Sequence, residues 1–128
     1  MFRERHIPQS LLFTCFERAL QMDFWINNIL WHFCFCNPAD NIFVTSDGRQ
    51  TVGATDRKTQ TIYVADNLAP AFREKVVTHE ICHACMFSYG IDIDYDTEEF
   101  ICNILADYGR EIIDISDSIF RTMKRSIA

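Results

Sequence analysis

Apolar residues recur near helical spacing at Leu12, Phe16, Leu20, Phe24 and Trp31, and neither Gly nor Pro interrupts the chain between Gln9 and Pro38. This periodicity predicts one long helix or two shorter ones there. The cluster Asn37-Pro38-Ala39-Asp40-Asn41 breaks the pattern, and short β-branched runs follow at 42–45, 51–55 and 61–65. These read as strands, with Asp47 and Gly48 turning between the first two. Asp66 or Asn67 can then open a helix with Pro70 in its first turn, carried through Val76, Val77 and Ala84 to Tyr89 and stopped by Gly90. An acidic loop at 91–97 leads into a helix over about 98–113, and a short amphipathic segment at 115–124 closes the pattern. The expected class is α+β: a small three-stranded sheet, two central helices, and additional N- and C-terminal helices.

A chain of 128 residues, 48% hydrophobic, without repeat, low-complexity tract or linker, can bury one core, so a single domain over 1–128 is expected. The formal charge of −6, with 12 basic against 18 acidic residues and no basic run, argues against nucleic acid as a direct partner. Phe24 to Cys36 is the most apolar stretch, yet Asn27, Asn28 and His32 interrupt it, and it falls short of the roughly 20 residues that span a bilayer. Six cysteines would suggest a disulfide framework in a secreted chain, but Met1-Phe2-Arg3-Glu4-Arg5-His6 leads into no signal-type region. Free thiols in a cytoplasmic protein are expected instead.

The chemistry concentrates in His79-Glu80-Ile81-Cys82-His83. Residues four apart share a helix face, so His79 and His83 can present both imidazoles to one ion, while Glu80 lies close enough to reach water beside it. A catalytic zinc takes three protein ligands and keeps one position open. No histidine follows His83, and His6 and His32 lie far upstream, so a carboxylate from the next helix is the expected third ligand. Glu98 and Glu99 are the candidates. Asn103, four residues after Glu99, would lie beside it as a group able to orient a histidine, which favours Glu99. Against this stands a helix-capping role for Glu99, three residues after Asp96.

Other constellations are weaker. Asp92, Asp94 and Asp96 alternate like a calcium loop, but Thr97 stands where glycine is required and Asn103 where the terminal glutamate belongs. Cys34 with Cys36 and Cys82 with Cys85 lack the usual knuckle context of a thiolate site. Cys82 is also off the common face of the two histidines, which disfavours it as a nucleophile paired with either.

Thr61-Ile62-Tyr63-Val64, Arg73, Thr78-His79-Glu80-Ile81-Cys82-His83-Ala84 and Glu99-Phe100-Ile101-Cys102-Asn103-Ile104-Leu105-Ala106 together resemble the ImmA/IrrE-like small metallopeptidases of bacteria, phages and mobile elements. The arrangement of HExxH on one helix and glutamate on the next is similar to the gluzincin group of zinc peptidases. The resemblance covers about 52–108. It implies a minimal zincin-like core, one zinc ion on His79, His83 and Glu99, Glu80 as general base, and a peptide or regulatory protein as substrate. His-Glu-Ile-Cys-His-Ala is also similar to the SprT-like proteins, whose third ligand is a later histidine that this chain lacks. The strand at 61–65 is a candidate edge for an extended peptide. The rival expectation is a non-catalytic regulatory or interaction domain stabilised by zinc.

Overall fold

The computed structural model describes the backbone of Arg3 and Glu4 and residues 21–127. The class is α+β, with one mixed sheet and two helices. In chain order the strands are β1 (Arg3–Glu4), β2 (Gln21–Ile26), β3 (Ile29–Cys36), β4 (Gly53–Asp56) and β5 (Thr61–Ala65). Helices α1 (Pro70–Ser88) and α2 (Tyr95–Ile127) follow. The sheet order is β1-β2-β3-β5-β4, with β3 and β5 parallel and every other neighbouring pair antiparallel. The sheet is therefore larger than the three strands expected.

The largest departure is at 21–36, where a hairpin replaces the expected helix. Asn27 and Asn28 both adopt positive φ, 48° and 62°, the conformation of a two-residue turn whose twist suits paired strands. Aromatic and β-branched side chains then pair across β2 and β3, Phe24 opposite Trp31 and Ile26 opposite Ile29. The part of that expected helix before residue 21 lies outside the described residues.

The expected strand at 42–45 is a 3₁₀ turn over Asn41–Phe43 that drives Phe43 into the core, leaving Val44 to bridge Gln50 around the Asp47 and Gly48 turn. β5 is found where expected, but it lies between β3 and β4 with all five residues buried, so it cannot be a peptide-binding edge. That edge is β4. Along β5 alternate side chains point to opposite faces. Ile62 and Val64 join Phe24, Trp31, Phe33, Val76 and Ala84, while Tyr63 and Ala65 pack with Phe43, Cys34 and Cys36. Burying an aliphatic side chain of this size contributes about 1.5–3 kcal/mol.

Helix α1 begins with Pro70 in its first turn after an extended Ala69, where a missing N–H costs nothing. It ends as expected at Gly90, whose φ of +64° lets its N–H reach the Phe87 carbonyl at 3.1 Å and the Ile91 N–H reach that of Met86 at 2.9 Å. The hairpin tip holds this end. Trp31 Nε1 donates to Ser88 Oγ at 2.7 Å, Asn27 Nδ2 donates to the Ser88 carbonyl at 2.9 Å, and the Trp31 and Phe87 rings meet edge to face.

Helix α2 starts earlier than expected and does not break. Asp94 caps it, accepting from the Thr97 N–H at 3.0 Å and the Thr97 hydroxyl at 2.7 Å. Those bonds hold the Asp94 carboxyl below the usual range. No Pro or Gly lies between 110 and 127, so the expected separate segment at 115–124 is the continuation of one 33-residue helix, about 50 Å long. Its first half packs on α1 through Cys82, Met86 and Cys102, with Arg110 bonded to Glu74 at 2.8 Å on the rim. No helix among the described residues is long and apolar enough to cross a membrane.

Candidate metal centre

Three elements meet at the HExxH segment: the middle of α1, the first turn of α2, and the edge strand β4. His79 and His83, one turn apart, face α2, with their Nε2 atoms 3.1 Å apart. Glu99 Oε1 stands 3.3 Å from His79 Nε2 and 2.6 Å from His83 Nε2. Two imidazole nitrogens and one carboxylate oxygen thus converge on a single point. Among the described residues this is the group of His, Cys, Asp or Glu side chains that could hold a metal ion.

Glu98 has a different task. Its buried Oε2 accepts from His83 Nδ1 at 2.5 Å and from Arg57 Nη2 at 2.7 Å. Placing the His83 proton on Nδ1 leaves the Nε2 lone pair aimed at the convergence point. Burial pushes the Glu98 carboxyl up, but the bonds from His83 and Arg57 outweigh it and hold the group below its ordinary value. The orienting role expected of Asn103 therefore falls to Glu98; Asn103 lines the cleft. The capping role considered for Glu99 falls to Asp94.

Glu80, one step round α1, is buried against β4. The Thr55 hydroxyl lies 2.9 Å from Glu80 Oε1 as donor, and 3.1 Å from the Glu80 carbonyl. The other oxygen, Oε2, is 4.0 Å from His79 Nε2, beside the donor cluster. Burial raises the Glu80 carboxyl above its ordinary value, against the lowering effects of Thr55 and the two histidines.

Sequence reasoning missed Thr55, Arg57 and Gly53. All three belong to β4 or the turn after it, and nothing local marks them. Gly53 admits the close approach: a Cβ there would stand 2.8 Å from Val76 Cγ1 and 3.0 Å from both Glu80 Cγ and Oε2. Gly53→Ala is expected to destabilise the protein by about 1–3 kcal/mol in urea unfolding. A variant as stable as its parent would mean that Glu80 is free to swing aside.

The site opens into a cleft of about 800 Å³, whose walls include Val44, Val52, Phe72, Ile93 and Tyr95. Among the described residues, the thiols form no competing metal-binding group. Burial raises both Cys82 and Cys102, keeping them neutral and poorly nucleophilic. Cys82, Cys85 and Cys102 carry free thiols, whereas Cys34 is held in a disulfide, against the expectation of free thiols. No family model, curated protein or solved structure matches the chain.

Proposed function

We propose that this protein is a zinc-dependent metallopeptidase of gluzincin type, in which His79, His83 and Glu99 hold the ion and Glu80 is the general base. The observation that carries the reading is a buried carboxylate, tethered by Thr55 on one oxygen, with its other oxygen beside a two-imidazole, one-carboxylate donor set. That donor set suits zinc, and three protein ligands leave a position for chemistry.

When bound, the ion supplies Lewis acidity toward water and toward the scissile carbonyl. The protein's own groups do the rest. Glu80 accepts the proton of the attacking water and passes it to the departing amine. Glu98 and Arg57 keep His83 in its ligating tautomer. The edge strand β4 borders the cleft, and an extended peptide can add there as a further strand.

The test is to load the purified protein with zinc and incubate it with a diverse peptide mixture, following products by mass spectrometry. Cleavage that stops with a chelator and returns with zinc is expected. A protein that binds one zinc yet cuts nothing, with a fourth protein ligand on the ion, would instead establish a non-catalytic zinc-stabilised domain.

A further inference from the structure

Helix α2 carries a second feature, independent of the metal centre. Its contacts with α1 extend to Arg110, and the helix then continues for about 25 Å. Along it Ile101, Leu105, Tyr108, Ile112, Ile115 and Ile119 recur at alternating spacings of four and three, which is the a/d seam of paired helices. All six are exposed, and Ile112, Ile115 and Ile119 are each more than half exposed. Met123, also exposed, flanks the same face.

Charge chooses the occupant. The acidic residues Glu111, Asp114 and Asp117 come first, and the basic residues Arg121, Lys124 and Arg125 follow. Glu111 and Arg125 sit two heptads apart at equivalent flanking positions, with Ser118 midway between them. A second copy running antiparallel about Ser118 brings Glu111 of each chain opposite Arg125 of the other, twice, with Ile115 and Ile119 of both chains in the seam between those pairs. A parallel copy would set the acidic halves side by side and the basic halves side by side. The seam and the charges together thus specify this chain as its own partner.

We infer that the protein self-associates as an antiparallel pair through 111–127 of α2. Sedimentation of the full chain at micromolar concentration should report two chains. Ile115→Asp with Ile119→Asp should weaken the pair more than about a hundredfold, because it places charges in the apolar seam. These side chains are exposed, so circular dichroism should show the fold retained. Glu111→Arg alone and Arg125→Glu alone should each weaken self-association about tenfold, since each turns two attractions into repulsions. Mixing those two variants one to one should restore pairing, because opposite charges then face each other at both ends. A chain that stays monomeric up to millimolar concentration would overturn the inference, as it would if residues 5–20 of the same chain cover the face. So would a pair indifferent to the Ile substitutions, or charge variants that do not recover on mixing.

Discussion

Glu80→Gln is expected to bind zinc about as well as the parent and to hydrolyse peptide about 10²–10⁴ times more slowly. The amide keeps the size of the carboxylate and can still accept the Thr55 hydroxyl bond that tethers Oε1. What it loses is the capacity to take a proton. Metal content and turnover, measured on one preparation, separate the two roles. Full turnover in the Gln variant would remove Glu80 from the mechanism, and loss of zinc would make it a ligand.

The second large effect distinguishes two adjacent glutamates. Glu99→Ala should abolish stoichiometric zinc binding, because only two imidazoles would remain at the convergence point. Glu98→Gln should weaken zinc binding about 10–100-fold without abolishing it, since it disturbs the orientation of His83 but removes no donor atom. Competition with a fluorescent zinc chelator gives both affinities. The reverse order of severity would exchange the roles of the two residues.

Features written in local pattern were legible in the chain. The α1 limits follow from Pro70 and Gly90, β5 from its β-branched run, and the histidine pair from its four-residue spacing. The hairpin at 21–36 was hidden because its residues are apolar at helical spacing as well as in alternation, and its turn is Asn-Asn, without the usual glycine. The division of labour between Glu98 and Glu99 depends on how α2 is rolled against α1. That roll is set by the loop after Gly90 and the cap at Asp94, so the inference for Glu99 was available while the role of Glu98 was not. Thr55 and Gly53 touch Glu80 only through tertiary packing, and no spacing along the chain records it.

The two oxygens of Glu80 answer to different parts of the chain. The donors His79, His83 and Glu99 all lie within one helical hairpin, so the chain between them closes a short loop at small entropic cost. Thr55 and Gly53 arrive from a strand whose pairing depends on the parallel contact of β3 with β5, a non-local step that is slow to form. On the proposed reading, the grip on an ion and the seating of the general base would therefore mature at different stages of folding. On the function proposed above, a nascent chain would capture its metal before it could cut, which would keep hydrolytic power out of the incompletely folded protein, where its own exposed backbone is the nearest substrate.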